Sequence, residues 1–378
     1  MMCRQSLQNA SLIAFWWIVM ASVPFLSGFG PPRLVDQIYT PSTRLTVGET
    51  EEWLALNEPP SLSAKASLLY DMDADRLLFA QNADGALPIA SLTKLMTALL
   101  VLETGDLQAE VVVQASDLVG GTSMQLIPGE VATVETLLYG LLIPSGNDAA
   151  MALARHNAGS AEAFVEHMNA RAAALNLRQT HFVNPHGLDA EGHLSSAIDL
   201  LTVVRLLWDY PLFREIVATA QSTVQGHRLQ NTNQLLGVYP GVNGIKTGTT
   251  DAAGQCLIAG FLEEGHQVVA IVLGSSDRYS DMRTLYEHYQ ATYHWIVGDI
   301  NRFSILNRLY GPNGQIWYLR TGAVAPTVLL PTVQGNQLVP YRRLALATNQ
   351  PWQSGMQVGV IEWQLGNQVV GTQPLYLW

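Results

Sequence analysis

The sequence predicts a mixed α/β (α+β) fold followed by a small all-β domain. Before residue 297, hairpin patterns with polar turns alternate with apolar runs of helical spacing. After residue 298 the helical spacing stops, and short apolar segments are separated by Gly, Pro and Asn pairs. A chain of 378 residues is also longer than one typical domain. We therefore expect a larger domain over residues 61–297 and a β-rich domain over residues 298–378.

The N-terminal residues have the composition of an export segment. Ser11 to Phe29 form a dense apolar run, and no charged residue lies between Arg4 and Arg33. Such a run is typical of a signal peptide or a signal anchor, and both interpretations of residues 1–30 stay open. Residues 31–60 are rich in Pro, Thr and Glu without periodicity, which predicts a linker. The expected location is extracytoplasmic, in the periplasm or on the outer face of the cytoplasmic membrane, with export through residues 11–29.

Composition excludes some classes of function. Hydrophobic residues make up 48% of the chain, charged residues only 13%, and the formal net charge is -11. An acidic chain has no electrostatic attraction for nucleic acid, so no nucleic-acid partner is expected. Cys3 and Cys256 are the only cysteines, which is too few for a disulfide framework or a cysteine-rich metal site.

Ser91 and Lys94 form the first candidate motif, in the apolar run from Pro88 to Glu103. The run has the spacing of a buried helix, Gly105 is its stop signal, and Pro88 places Ser91 in the opening turn. Residues three apart share one face of a helix. The chain has only three lysines, and Lys94 is one of them. A lysine can lose its proton and act as a base where an arginine cannot, so this pair predicts a serine activated by a lysine.

Two further polar motifs follow Ser91 and Lys94 in the chain. Ser145 and Asn147 lie in a short loop between two apolar helical runs, where capping residues are also common. Lys246, Thr247, Gly248 and Thr249 lie at the end of a predicted strand. Glycine in a strand lets a ligand approach the backbone, and a lysine supplies a cation for a carboxylate.

Two histidines are candidates for metal ligands or catalytic groups. His186 and His193 lie in a turn-rich stretch without the spacing of a zinc site. Their interpretation is therefore as surface or loop-stabilising histidines. No metal and no cofactor are expected.

The three motifs occur together, in this order, in β-lactamases and penicillin-binding proteins. Beyond them, Leu137–Asp148 (LLYGLLIPSGND), Asn184–Leu188 (NPHGL) and Gly244–Thr250 (GIKTGTT) resemble the low-molecular-mass penicillin-binding proteins of the D-alanyl-D-alanine carboxypeptidase type. The resemblance covers about residues 60–296, and residues 355–375 resemble the β-rich second domain of that family. It implies a β-lactamase/transpeptidase-like fold, an antiparallel sheet with flanking helices and a helical lobe. The site is then expected where the lobe meets the sheet.

The resemblance also implies the chemistry. Ser91 is expected to attack the bond between two terminal D-alanines of a peptidoglycan stem peptide and to be trapped by β-lactam antibiotics. Lys94 would take its proton, because burial and a second nearby cation disfavour the ammonium form. Ser145 would pass a proton to the leaving amine, and Asn147 would orient Lys94 and the substrate.

The third motif is expected to bind the substrate. Lys246 and Thr247 would hold the terminal carboxylate, and Gly248 would let the peptide approach the strand. The backbone N–H groups of Ser91 and Thr249 would form the oxyanion hole. Leu375–Trp378 show no amphipathic helix and no basic face, so membrane attachment is expected through residues 11–29.

Three alternatives remain beside the carboxypeptidase. The first is a D,D-endopeptidase. A class A-like β-lactamase would carry a glutamate in a Glu-x-x-Leu-Asn context between the second and third motifs, and four glutamates in that stretch lack it: Glu162, Glu166, Glu191 and Glu215. A non-catalytic wall-binding protein would be expected to lose part of the three motifs, and all of them are intact.

Overall fold

The computed structural model describes residues 34–37, 59–298, 307–311, 314–322, 327–332, 338–346 and 351–378. These residues form two compact units. The larger contains the described residues of Ser42–Ile296 and Val328–Asn336, and the smaller those of Met1–Pro41, Val297–Thr327 and Gln337–Trp378. The export segment predicted for residues 1–30 lies outside the described residues. In the part of the chain that is described, no helix has the length and hydropathy needed to cross a membrane.

A five-stranded antiparallel sheet is the framework of the larger unit. Its order is β3-β2-β10-β9-β8, with the bounds β2 Ala66–Asp71, β3 Arg76–Gln81, β8 Val242–Thr250, β9 Gly254–Glu263 and β10 His266–Ser275. The two hairpins predicted from the sequence are confirmed as β2–β3 and β9–β10. Strand β8 is at the edge of the sheet, so one side of its backbone has no neighbouring strand within this sheet.

Seven helices of the described residues accompany this sheet: α1 Lys94–Thr104, α2 Val134–Leu142, α3 Asn147–Ala158, α4 Ala161–Ala174, α5 Ala197–Trp208, α6 Pro211–Ala218 and α7 Arg278–Thr292. Successive side chains of a strand point to opposite faces of a sheet. Leu68 therefore packs into the core formed with α1 to α6, whereas Leu69 packs into a second core against α7. The sheet lies between a helical lobe and one long helix, as the resemblance implied. Short strand pairs complete the unit: β4 Glu110–Val112 with β5 Val131–Thr133, and β6 Gln221–Val224 with β7 His227–Gln230.

Helix α1 carries the first motif into the middle of the unit. A 3₁₀ turn over Ala90–Thr93 precedes it, so Ser91 lies in that turn and Lys94 is the first residue of the α-helix. The helix ends at Gly105, which adopts the left-handed conformation with φ of 81°. Nearly every side chain of α1 is buried, which explains why its apolar residues occupy more than one face.

The smaller unit contains a six-stranded antiparallel sheet in the order β1-β15-β16-β17-β13-β12. The bounds are β1 Leu34–Gln37, β12 Arg308–Tyr310, β13 Ile316–Thr321, β15 Leu338–Leu344, β16 Gln357–Leu365 and β17 Gln368–Leu377. The remaining strands, β11 Tyr293–Val297 and β14 Thr327–Pro331, pair with each other and belong to the larger unit except for Val297 and Thr327.

Strand β1 departs from the sequence prediction. Residues 31–60 were expected to be a linker, yet the backbone of Leu34–Gln37 pairs with β15. Four residues are too few to show the alternation that identifies a strand in a sequence. Their pairing depends on a partner that lies far away in the chain, so the local pattern gave no sign of it.

Candidate active site

The three sequence motifs meet around one cleft of about 310 Å³ in the larger unit. Ser91 comes from the 3₁₀ turn, Ser145 and Asn147 from the junction of α2 and α3, and the third motif from strand β8. The cleft is lined by Ser91, Ser145, Asn147, Thr247, Gly248 and Thr249, and Lys94 and Lys246 are buried beneath it. The structure therefore brings together all eight residues that the sequence singled out.

Lys94 is directly hydrogen-bonded to the candidate nucleophile. Its Nζ donates to Ser91 Oγ at 2.9 Å, to Asn147 Oδ1 at 2.7 Å and to the backbone oxygen of His186 at 2.6 Å. The side chain of Lys94 is fully buried, whereas Ser91 is half-buried at the floor of the cleft. The three acceptors fix the orientation of the Lys94 amine. The lone pair that Nζ gains when it loses a proton would therefore have a fixed direction.

The protonation of Lys94 follows from this burial. Desolvation lowers the pKa of Lys94 well below its ordinary value, and the positive charge of Lys246 lowers it further. Asp148 has a smaller effect in the opposite direction. The groups that accept these hydrogen bonds from Nζ are a hydroxyl, an amide oxygen and a backbone oxygen, so no carboxylate in direct contact neutralises an ammonium group here. A lysine in this state can serve as the base for a serine hydroxyl.

The backbone of Ser145 has a conformation that residues with a side chain rarely adopt. Its φ is 66°, in the left-handed region, although it is not a glycine. Its Oγ is buried and finds no hydrogen-bond partner among the described residues. Thr122 Oγ1 donates to its backbone oxygen at 2.6 Å and helps to hold this geometry. Strained conformations of this kind concentrate at functional sites, and the free hydroxyl is available to a substrate.

Replacing Ser145 with alanine should therefore reduce activity without destabilising the protein. An unpartnered buried hydroxyl contributes no stability, so we expect Ser145→Ala to be as stable as the parent or up to about 1 kcal/mol more stable. Loss of a proton carrier should lower kcat about 100-fold. Urea denaturation and release of D-alanine measure the two effects. A loss of stability together with unchanged kcat would contradict this assignment.

Lys246 is buried beneath the cleft and does not line it. It is 1% exposed, and its Nζ donates to the backbone oxygen of Thr247 at 3.0 Å. Desolvation, with a further contribution from the charge of Arg278, lowers the pKa of Lys246 to about 7. Thr247 Oγ1 shares a 2.6 Å hydrogen bond with Thr232 Oγ1, and both residues line the cleft. The expected role in holding a carboxylate stays a prediction.

The pKa of Lys246 gives a pH dependence. Below about pH 7 the ammonium form attracts a carboxylate, and above it the neutral amine does not. We expect the Kd of Ser91→Ala protein for a peptide ending in D-alanine carboxylate to rise roughly tenfold between about pH 6 and pH 8. Calorimetry measures this Kd. The same peptide ending in an amide is the control, and an equal pH dependence of both peptides would show that Lys246 is not responsible.

Gly248 permits strand β8 to approach the 3₁₀ turn. A Cβ at Gly248 would lie 3.0 Å from the backbone oxygen of Ile89 and 3.1 Å from the backbone nitrogen of Ser91. These distances are tighter than ordinary van der Waals contacts, so a side chain would push the strand away from Ser91. Thr249 follows and is exposed in the cleft. This close approach is what an oxyanion hole built from the N–H groups of Ser91 and Thr249 would need.

A network of hydrogen bonds supports the residue before Ser91. Ala90 has a left-handed φ of 49°, and its backbone oxygen accepts a hydrogen bond from Thr93 Oγ1 at 2.8 Å. Thr93 Oγ1 in turn bonds His193 Nε2 at 2.7 Å, while His193 Nδ1 accepts from Val183 N at 3.0 Å. Burial lowers the pKa of His193 to about 4, so the ring is neutral and Nε2 carries the proton. The interpretation of His193 as a loop-stabilising residue is confirmed, although it is buried and not at the surface.

Sequence reasoning missed three contributors to the site. Arg278 lines the cleft, and its Nη1 donates to the backbone oxygen of Gly248 at 2.8 Å. Asp148 is buried and accepts hydrogen bonds from three residues of the loop after Gly121: Ser123, Met124 and Leu126. His186 contributes only its backbone oxygen. No local pattern marks Arg278, and the NPHGL stretch that contains His186 does not assign a role to its backbone oxygen, because tertiary contacts bring both groups to the site. The sequence could have pointed to Asp148, since it directly follows Asn147 of the second motif.

The fold is similar to that of solved penicillin-binding proteins. The structure superposes on penicillin binding protein 6B from Escherichia coli with a TM-score of 0.65 and 30% identity, covering 84% of this chain and 96% of that chain. The predicted fold class, with a helical and antiparallel domain followed by an all-β domain, is thereby confirmed. The profile of Peptidase S11, D-alanyl-D-alanine carboxypeptidase, matches residues 54–277. The chain therefore belongs to the Peptidase S11 family.

Two relatives show how far the likeness extends along the chain. DacF of Bacillus subtilis, a D-alanyl-D-alanine carboxypeptidase, is 38% identical over 224 residues, which are 56% of this chain and 58% of that protein. DacC of Escherichia coli, also a D-alanyl-D-alanine carboxypeptidase, is 32% identical over 342 residues, 84% of each chain. The match to DacF thus spans little more than half of that relative, whereas the match to DacC includes most of both chains.

Proposed function

We propose that the protein is a serine-type D-alanyl-D-alanine carboxypeptidase that removes the terminal D-alanine from peptidoglycan stem peptides. One observation carries this proposal: the buried Nζ of Lys94 lies 2.9 Å from Ser91 Oγ. The family membership and the carboxypeptidase relatives support it. Because peptidoglycan lies outside the cytoplasm, we infer an extracytoplasmic location. Export through residues 11–29, and membrane attachment there, remain part of the proposal.

Acylation begins at Ser91 in this mechanism. Ser91 Oγ attacks the carbonyl carbon between the two D-alanines while its proton passes to the neutral amine of Lys94. Backbone N–H groups of Ser91 and Thr249 stabilise the oxyanion, each donor contributing about a hundredfold or more. The C–N bond then breaks, and the leaving amine of D-alanine receives a proton through Ser145. Water hydrolyses the resulting ester and regenerates Ser91.

The edge of strand β8 is suited to hold the peptide. An extended peptide can add to an exposed sheet edge through backbone hydrogen bonds. The cations Lys246 and Arg278 attract the terminal carboxylate, assisted by the hydroxyl of Thr247. Asn147 Oδ1 accepts from Lys94, and its Nδ2 is bound to Gly120 O at 2.6 Å, so its amide is fixed in the cleft. A β-lactam, which also presents a carboxylate beside a reactive carbonyl, is expected to acylate Ser91.

Labelling with a fluorescent penicillin tests the proposal. The parent protein should acquire the label covalently and release D-alanine from a pentapeptide, and Ser91→Ala should do neither. A thermal melt of Ser91→Ala checks that it folds. Labelling of Ser91→Ala at the parent rate would show that another residue is the nucleophile.

The same labelling separates the alternatives. A β-lactamase would release hydrolysed penicillin rapidly, whereas a carboxypeptidase should keep the adduct for many turnovers of peptide. A D,D-endopeptidase would cleave cross-linked dimeric stem peptides faster than the pentapeptide. A non-catalytic wall-binding protein would release no D-alanine at all.

A further inference from the structure

The loop of residues 182–193 lies against the start of helix α1 and is hydrogen-bonded to polar side chains there. Lys94 Nζ donates to the backbone oxygen of His186 at 2.6 Å, and Thr97 Oγ1 donates to the backbone oxygen of Pro185 at 2.7 Å. Both acceptors are main-chain groups, which every residue carries. These two contacts therefore hold the loop in place without requiring a particular side chain in it.

A third contact joins the loop to the turn before α1 through two side chains. His193 Nε2 and Thr93 Oγ1 are 2.7 Å apart, and both residues are buried. The backbone N–H of Val183 donates to His193 Nδ1 at 3.0 Å, so Nδ1 carries no proton and the hydrogen of the neutral ring is on Nε2. Nε2 therefore donates to Thr93 Oγ1, which donates its own hydrogen to the backbone oxygen of Ala90 at 2.8 Å. These hydrogen bonds form a relay with one direction, from Val183 N–H to Ala90 O.

The relay ends on the peptide group that leads into Ser91. The backbone oxygen of Ala90 and the backbone N–H of Ser91 belong to the same planar unit. A hydrogen bond that fixes the oxygen therefore also fixes the direction of the N–H, which points the opposite way. This N–H is one of the two donors of the proposed oxyanion hole. Thr93 thus acts on a donor of the site although it is fully buried and does not line the cleft.

The backbone at this point needs such support because it is strained. Ala90 has a φ of 49°, in the left-handed region that residues with a Cβ rarely adopt. A conformation of this kind persists only where its surroundings hold it. A hydrogen bond to a peptide oxygen also polarises the N–H of the same group, which makes that N–H a stronger donor. The relay therefore affects both the direction and the strength of the Ser91 donor.

The relay is shielded from water and its histidine is firmly held. Ala90 is 2% exposed, and a Cβ at Gly187 would lie 2.0 Å from its backbone oxygen and 2.9 Å from Thr93 Oγ1. The ring of Phe182 packs edge-on against that of His193, with 5.9 Å between the two centroids. Hydrogen bonds in such a dry environment are stronger than in water. A side chain held in this way can fix the position of the groups that it contacts.

We propose that His193 is a positioning residue for the oxyanion hole: through Thr93 it orients the peptide group that carries the N–H of Ser91 and strengthens this N–H as a donor. His193 itself takes no part in making or breaking bonds. The inference deepens the proposed function, because it rests on the oxyanion hole of that mechanism. Breaking the relay should slow the acylation step and leave the preceding binding of the ligand unchanged.

Two substitutions of His193 separate the two ends of its ring. The amide oxygen of asparagine can replace Nδ1 as the acceptor for Val183 N–H, but this side chain is too short to donate to Thr93. The amide nitrogen of glutamine can replace Nε2 as the donor to Thr93, and Val183 N–H then loses its acceptor. The concentration dependence of labelling by a fluorescent penicillin gives, for each variant, the Kd of the first complex and the rate constant of acylation.

His193→Asn should lower the acylation rate constant about tenfold and change the Kd by less than about twofold. The loss is smaller than that from removing a donor outright, because the N–H of Ser91 is misaligned and not absent. His193→Gln should recover most of the rate. Each variant loses one buried hydrogen bond, so thermal melts should show both below the parent, and acylation should follow the bond to Thr93 and not the Tm. Equal acylation rate constants for the two variants would overturn the proposal.

Substitutions of Thr93 test the relay from its other partner. Thr93→Val keeps the shape of the side chain and removes the hydroxyl, whereas Thr93→Ser keeps the hydroxyl and removes a methyl group. We expect the acylation rate constant to be about tenfold lower in Thr93→Val and within about twofold of the parent in Thr93→Ser. Combining His193→Asn with Thr93→Val should cost little more than either alone, since both break one relay. Fully additive losses would contradict the proposal.

The matched control is His181→Asn. His181 directly precedes the loop, is exposed, and its Nδ1 lies 3.1 Å from the backbone oxygen of Gly192. The chemical change is the same and removes a contact in the same region, but it leaves the relay intact. The acylation rate constant of the parent is expected. A loss as large as that of His193→Asn would show a general loosening of the loop and would overturn the proposal.

The amide signal of Ser91 tests the inference without any reaction. If the parent neither releases D-alanine nor takes up the penicillin label, the proposed function fails, whereas nuclear magnetic resonance of isotope-labelled protein still reports the relay. The proton and nitrogen chemical shifts of this amide should change in His193→Asn and Thr93→Val and stay near the parent values in His193→Gln. Unchanged shifts in His193→Asn would overturn the inference.

Discussion

Replacing Lys94 with arginine or glutamine should abolish the acylation of Ser91. Arginine keeps the charge but cannot lose a proton under any condition that the protein survives, and glutamine keeps a hydrogen-bond donor without being a base. Loss of the base should lower the rate of acylation by a fluorescent penicillin about 1,000-fold in both variants. Rapid-quench labelling gives the second-order rate constant.

The pair of substitutions separates the base from a merely electrostatic role. If Lys94 acted only as a fixed positive charge, Lys94→Arg would retain most of the activity and Lys94→Gln would not. Arginine is larger than lysine, so a thermal melt of each variant must show a folded protein. Glutamine is smaller than lysine and is the safer variant in this fully buried position. Acylation of Lys94→Gln at the parent rate would rule out Lys94 as the base.

Replacing Gly187 with alanine should displace the turn that carries Ser91. A Cβ at Gly187 would lie 2.0 Å from the backbone oxygen of Ala90, and the φ of Gly187 is 88°. Alanine in a left-handed conformation costs about 1–2 kcal/mol, and the clash adds to this cost. Because Ala90 directly precedes Ser91, any shift that relieves the clash moves Ser91, the proposed nucleophile. We expect the acylation rate to fall about 100-fold or more.

Gly192→Ala is the matched control for this prediction. Gly192 lies in the same loop with φ of 77°, but the nearest atom to its Cβ would be 3.8 Å away, on His181. It therefore carries the same backbone cost without a clash. We expect Gly192→Ala to lose about 1–2 kcal/mol of stability and to keep its acylation rate. Equal acylation rates of the two variants would show that contact between Gly187 and Ala90 does not position Ser91.

Local patterns in the sequence accounted for much of the fold. The two hairpins of the central sheet were recognisable because apolar segments flank polar turns, and α1 and α2 because their spacing is helical. The pairing of Ser91 with Lys94 was also local, since residues three apart share a helical face. The positions of the three motifs in the sequence do not by themselves predict that they meet in the folded protein. It was expected only because the same three motifs occur together in a known family.

Other parts of the site depend on tertiary contacts that leave no local trace. Arg278 reaches the cleft because α7 begins beside β8, and its neighbours in the sequence resemble those of any exposed helix start. The backbone oxygen of His186 has no sequence signature at all, since every residue carries one. The strain at Ser145 was equally hidden, because serine usually avoids a left-handed φ.

The pairing of β1 with β15 has a consequence for biosynthesis. Leu34 lies opposite Leu344 in the register of the two strands. A ribosome therefore makes the first strand of the smaller unit roughly 300 residues before that strand's partner exists, and contacts so distant in the chain form slowly. The sheet of the larger unit and the turn that carries Ser91 are complete earlier and can fold while translation continues. An N-terminal strand that stays unpaired during synthesis is a natural target for chaperones.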